Sequence, residues 1–200
     1  LHQGTLDFKW LDIAMNLTDK VIESYWDSDS SFLYDSSNNK KDLFIRPKSL
    51  YDNPYTSSAS KMTELLYLLG SITGKEEYLD IVDRLIDNMI PYINKVPMHT
   101  LSWAKLTDLR KNDKLDHLVI IHDEKNLNEL VNKLNSEGAT DLIYFAKSYK
   151  AKTNLDIFDN KILIDGKATF YLCRSYTCKM PTNSIKDINN QIKDLNSLYL

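Results

Sequence analysis

The strongest constraint on this chain is a change of hydrophobic period partway along it. Up to about residue 112, apolar residues recur at three- and four-residue steps. That spacing gathers them on one face of an α-helix. Phe8, Leu11, Ala14, Met15, Leu17, Val21, Ile22 and Tyr25 form such a stripe over about residues 7–26. A second runs over about 57–72 through Met62, Leu65, Leu66, Leu68 and Leu69, and Gly74 follows it. Thr73 with Glu76 three residues on has the form of a capping box for a third helix. That helix carries Tyr78, Leu79, Ile81, Val82, Leu85, Ile86, Met89 and Ile90 and is expected to end near Pro91. A fourth, shorter helix is predicted over about 98–109.

Beyond residue 112 the pattern becomes strand, helix, strand. Residues 118–121 are an apolar, β-branched run, and so are 142–145 in a looser sense. Between them Leu127, Leu130, Val131 and Leu134 keep helical spacing, with Asn126 and Glu129 as a capping box and Gly138 as the stop. Such a segment is a βαβ crossover with parallel strands. Residues 161–164 and 168–173 flank Asp165 and Gly166 and suggest a hairpin with a tight turn. A last helix is expected over about 184–198. The expected fold class is mainly α with a smaller α/β part: helical hairpins over 1–112, then a small βαβ-containing module over 113–200.

The helical half carries an internal match at an offset of 68 residues. Leu11, Asp12, Ile13, Leu17, Asp19 and Ile22 recur as Leu79, Asp80, Ile81, Leu85, Asp87 and Ile90. A 68-residue period could be two tetratricopeptide units. Residues 27–56 are too rich in Ser, Asn, Asp and Pro for a helix pair, and Phe32, Tyr34 and residues 43–45 suggest two short strands there. A hairpin with an elaborate loop points to a partial α/α toroid, in which loops at one end of the ring build the pocket.

Composition removes several functions. Only five of 200 residues are Gly, and neither GxGxxG nor GxxxxGK[ST] occurs, so phosphate-cradling loops are not expected. The net charge of −3 is dispersed, without the basic face that nucleic-acid binding needs. No apolar run approaches the length of a membrane span. The first residues form no signal peptide, and the absent initiator Met suggests a processed product or part of something longer. His2, His99, His117 and His122 are scattered without metal-ligand spacing, so no metal or cofactor is expected. His117 and His122 bracket the apolar run at 118–121, fall on opposite faces of a strand, and are expected to be solvated. Cys173 and Cys178 are not a CxxC pair. They read as small buried residues at a strand end, which suits a reducing, cytoplasmic compartment.

The densest polar constellation follows the first helix. Asp27, Asp35 and Asp52 lie among Trp26, Phe32, Tyr34, Arg46, Lys48 and Tyr51. Carboxylates, cations and aromatic faces together suit a sugar-type ligand. Two of the three Asp residues could form the acid/base pair of glycoside hydrolysis. Alternatively the Asp residues make turns and caps, and Arg46 pairs with Asp52 to hold the loop.

The string Trp26-Asp27, Phe32, Tyr34-Asp35, then Arg46-Pro47-Lys48 with Tyr51-Asp52, then Ser57-Ser-Ala-Ser60 resembles a known family. It is similar to the carboxy-terminal part of thioredoxin-domain-containing proteins of the YyaL and spermatogenesis-associated protein 20 type. The closing Asp165-Gly166 to Cys173, four residues, Cys178, then Pro181 is similar to that family's last motif. The resemblance spans about residues 5–185. It implies the end of an (α/α)6 barrel like those of N-acylglucosamine 2-epimerases and six-hairpin glycosidases, preceded by further barrel helices and a thioredoxin-like domain. It implies pocket roles for Arg46, Lys48, Tyr51, Asp52, Ser57 and Ser60, with Asp27 and Asp35 beside them, and structural roles for Cys173 and Cys178. Asn53 and Ser57-Ser-Ala-Ser60 stand where the family has Tyr-Asp-Gly and Ser-Gly-Asn-Ser, so this loop lacks two glycines.

Two functional expectations follow. One is a carbohydrate-active or sugar-binding role through the loop. The other is a non-catalytic module supporting the thioredoxin-like domain. An isolated third of a toroid is also expected to self-associate through uncovered helix flanks.

Overall fold

A computed structural model describes residues 1–40, 42–112, 114–123, 127–136, 142–153, 155–174 and 177–197. The elements in order are α1 (His2–Thr5), α2 (Lys9–Tyr25), β1 (Trp26–Asp27), β2 (Phe32–Leu33), α3 (Ser58–Thr73), α4 (Glu76–Lys95) and α5 (Leu101–Lys111). Then come β3 (Asp116–His122), α6 (Leu127–Ser136), β4 (Ile143–Ser148), β5 (Thr169–Arg174), β6 (Thr177–Cys178) and α7 (Ile185–Ser197). The protein is thus mainly helical with a small mixed sheet. Two compact units divide it: residues 8–114, and residues 1–7 together with 115–200.

In the helical unit, α3 and α4 form a hairpin. Ser57 caps α3 by accepting from the Ser60 N–H at 3.1 Å, and Gly74 ends it in the left-handed region at φ 69°. A side chain there would be strained, so the glycine is required. Gly70 is the point of closest approach: an added Cβ would lie 2.8 Å from a Leu79 methyl and 3.2 Å from Tyr78 Cβ. Helix α4 buries Tyr78, Ile81, Val82, Leu85, Ile86 and Met89, one continuous stripe. Two expectations change here. Lys75, without a side-chain capping bond, stands at the α4 N-cap, while the Thr73 hydroxyl donates back to the Leu69 carbonyl within α3. The capping box is therefore not formed. Pro91 lies inside α4, which continues one turn past it to Lys95.

The 68-residue match does not carry over to burial. Ile81 and Leu85 on α4 are 5% and 0% exposed, whereas their counterparts Ile13 and Leu17 on α2 are 44% and 57% exposed. The strand pair expected around residues 32–45 is also displaced. Trp26–Asp27 pairs with Phe32–Leu33, and residues 43–45 form no strand. Helix α4 holds this turn: Arg84 Nη2 donates to the Ser28 carbonyl at 2.7 Å and Asn88 Nδ2 to the Ser30 carbonyl at 3.0 Å.

In the second unit the sheet order is β4-β3-β5-β6. β3 and β4 are parallel neighbours joined through α6, as the crossover requires, and β5 is antiparallel to β3. Leu118, Ile120, Tyr144, Ala146, Phe170 and Leu172 alternate along three strands and face one core with α6, α7 and Leu6. The tight turn is present: Asp165 and Gly166 have φ of 53° and 65°, and Ile164 bridges Lys167. Residues 1–7 belong here because Gln3 completes the open edge of β4. Its side-chain amide accepts from the Tyr144 N–H at 2.8 Å and donates to the Tyr144 carbonyl at 3.2 Å. Asn126 and Gly138, read as helix signals, lie outside the described residues.

The histidines differ from expectation. His122 is buried, and His117 is half-buried with its ring edge on Phe145 at 6.2 Å between centroids. His2 stacks on the same Phe145 ring at 5.5 Å. β3 lies between β4 and β5, so both of its edges are covered.

Candidate functional site

The irregular stretch after α2 separates into two polar clusters. In the first, Lys48 donates to Asp27 Oδ2 at 2.9 Å and to the Ser30 hydroxyl. Its ammonium lies 4.4 Å from the Tyr34 ring centre. Arg46 stacks on Tyr34 at 3.8 Å and donates to the carbonyls of Ser24 and Ser36 at 3.2 and 2.6 Å. Hydrogen bonds from Ser30 and Lys48 hold the Asp27 carboxyl well below the usual carboxylate range. Each cation here is held by partners from the end of α2 and the loop that follows it. Arg46 does not pair with Asp52, since its guanidinium is taken by two carbonyls and an aromatic face. Asp35 accepts from the Ser49 hydroxyl at 2.6 Å and the Ser49 N–H at 3.1 Å, which closes the loop on itself.

The second cluster is centred on Asp52. Its Oδ1 accepts from the Ser57 N–H at 2.9 Å and the Ser102 hydroxyl at 2.6 Å. Its Oδ2 accepts from the Ser102 N–H at 2.9 Å. One carboxylate thus serves the starts of both α3 and α5, where unsatisfied N–H groups concentrate positive charge. Burial pushes the Asp52 carboxyl up, but the bonds from Ser102 and Ser57 together outweigh it and hold it below its ordinary value. The Ser60 hydroxyl, also buried, lies 2.9 Å from that of Ser102. The Trp103 indole donates to the Leu50 carbonyl at 2.7 Å and pins the approach to Asp52.

This cluster opens on a cleft of about 430 Å³. Asp52 and Ser60 line it, together with Asn53, Lys61, Glu64 and Lys105, over Met98, Leu101 and Leu109. Lys61 and Glu64 form an ion pair at 2.6 Å across one turn of α3. Asp52 and Glu64 are the carboxylates on this wall. Asp35 lines a separate hollow of about 150 Å³ with Tyr25, Tyr34 and Met62. Tyr51 is half-exposed and meets Tyr92 edge-on at 6.1 Å.

The structure therefore joins Asp27 with Lys48, and Asp52 with Ser57 and Ser60. It does not bring Asp27, Asp35 and Asp52 onto one another, and each has its own local donors. A saturated carboxylate held ionised is suited to positioning, not to delivering a proton. Ser102 and Lys105 were missed from the sequence because their only signal was an indistinct helix start. Among the described residues no group of three or more His, Cys, Asp or Glu could hold a metal ion, and no helix is long and apolar enough to cross a membrane.

Cys173 and Cys178, read as two small buried residues, are joined as a disulfide. The β5–β6 register sets them directly opposite each other, a relation that a spacing of five does not disclose by itself. A disulfide is characteristic of oxidising compartments rather than the reducing one expected. No protein-family model matches this sequence, and no curated protein matches it.

Proposed function

We propose that the chain is the carboxy-terminal part of a thioredoxin-domain-containing protein, that α2 to α5 belong to an α/α toroid, and that the Asp52 cleft binds a carbohydrate-type ligand without hydrolysing it. One observation carries the binding reading. Asp52, Ser57 and Ser60, three residues of the loop motif, share one network that opens on a cleft lined by both polar and apolar side chains. Hydroxyl-rich rings present the same combination of polar edge and apolar face. Asp52 supports the wall, and Asn53, Lys105 and Glu64 are the groups that would meet hydroxyls. Titration with a panel of aldoses and N-acyl sugars tests this by calorimetry. Binding should weaken about tenfold in Lys105→Ala and Asn53→Ala combined, each losing about one hydrogen bond. Arg46→Ala should leave it unchanged. No binding by any sugar, or equal loss in Arg46→Ala, overturns it.

A second reading is favoured by the closure of the first cluster and by the bare face of α2. In it the helical unit is a non-catalytic interaction module. Ile13 and Leu17 then seat a helix from upstream barrel residues or from a second copy. Sedimentation of the chain alone should show association that Ile13→Ser with Leu17→Ser abolishes. A clean monomer with low dye binding excludes the second copy.

A further inference from the structure

The sheet places three reactive side chains in one row. His117 on β3, Cys173 on β5 and Cys178 on β6 stand directly opposite one another. Opposed residues of antiparallel strands share a face, with Cβ atoms about 4.5–5.5 Å apart. The imidazole and both sulfurs therefore lie on the same side of the sheet. The two cysteines differ in exposure. Cys173 is 1% exposed, whereas Cys178 is half-buried on the edge strand.

The disulfide is not what holds that edge. Beyond it, the Lys179 N–H donates to the Leu172 carbonyl at 2.9 Å, and Phe170 and Thr182 exchange backbone bonds at 2.8 and 3.1 Å. A bond closing so short a loop also removes less unfolded-chain entropy than one closing a long loop. Opening it leaves the strand paired on its far side.

We propose that Cys173–Cys178 is a thiol–disulfide exchange site for a low-molecular-weight thiol, with Cys178 the attacked sulfur and Cys173 the resolving one. In the opening step the external thiolate attacks Cys178 Sγ. The Cys173–Cys178 bond breaks, its electron pair passes to Cys173 Sγ, and the buried thiolate takes a proton from water. The Cys178 mixed disulfide remains. In the closing step the Cys173 thiol returns its proton to water, and its sulfur attacks Cys178 Sγ. The external thiolate leaves, and the net redox change is zero. Burial, with Lys161 nearby, lowers the His117 pKa to about 4, so the ring in this row is neutral at pH 7.

Incubation of the whole chain with reduced glutathione at pH 7, followed by alkylation and peptide mapping, tests the site. Glutathione should appear on Cys178 and not on Cys173, with far-UV dichroism unchanged. Cys173→Ser should accumulate the Cys178 adduct; should that variant not fold, the wild-type map alone decides. The reduced protein, treated with oxidised glutathione, should reclose through a Cys178 adduct, whereas Cys173→Ser should stop at that adduct. Adducts that form only after urea unfolds the chain, or that divide equally between the cysteines, overturn the exchange site.

Discussion

The helical unit and the α/β unit treat their ionisable side chains in opposite ways. In residues 8–114 the charged groups of a long irregular stretch are stitched to backbone and to one another. Asp27 holds Lys48, Asp52 serves two helix starts, and Asp19 accepts from Tyr78 and Lys75 where α2 meets α4. In the other unit a sheet supplies the backbone bonds, its core is apolar, and the unusual groups are imidazoles packed on Phe145. A loop of some thirty residues cannot stay ordered on apolar contacts alone, so its polar groups become structure. A sheet needs less such help, the Asp116–Arg174 pair across β3 and β5 being its own charged link, and it can bury a neutral histidine.

This contrast can be tested separately in each unit, because Trp10, Trp26 and Trp103 all lie in residues 8–114. Tryptophan fluorescence reports the helical unit, and far-UV dichroism reports both. The largest effect is expected from Phe145→Ala, which removes a fully buried ring. It should cost about 3–5 kcal/mol. Its urea transition should move in dichroism and not in fluorescence; equal movement in both would break the division.

Next is acid. The His117 pKa is lowered from 6.5 to about 4, and that of His2 is lowered too, mainly by burial. Lys161, Asp116 and the Leu115 carbonyl are the groups acting on His117 besides burial. A histidine kept neutral when folded binds fewer protons than when unfolded. Stability of the α/β unit is therefore full above about pH 6.5 and declines as pH falls toward 4. The loss at His117 is roughly 3 kcal/mol. In the helical unit Asp19, Asp27 and Asp52 have lowered pKa values. Their contribution is intact above the ordinary carboxylate value and is lost only below it. An acid titration should unfold the α/β unit first, and His117→Phe should flatten its slope between pH 6.5 and 4.

Asp52→Ala should then cost about 2–3 kcal/mol, since it leaves two helix starts without their acceptor. Fluorescence-detected unfolding would show it, and Asp52→Asn should cost less because one acceptor oxygen remains. The smallest effect belongs to Lys111→Ala. Its pair with Asp87 has side chains 51% and 63% exposed, so the fluorescence transition should shift by at most about 0.5 kcal/mol.

The helices were legible because six-residue stripes such as that of α4 depend only on spacing. The βαβ crossover was legible for the same reason. The hairpin strands of the loop were not, because two-residue strands have no period, and Arg84 and Asn88 position them from 53 to 58 residues away. At the candidate site, the loop residues could be selected by type, but their division into two clusters could not. Asp27, Asp35 and Asp52 look alike in the sequence, yet one holds a lysine, one closes a turn and one caps two helices.

By itself the sequence determined the helical stripes, the strand-helix-strand segment and the type of side chain available in the loop, because periodicity and chemistry are local. Only the tertiary structure decided which face of α2 is bare, that Gln3 completes β4, that Asp52 meets Ser102, and that His117, Cys173 and Cys178 share one row. Each of those depends on strand register or on the approach of distant elements, which no local spacing encodes.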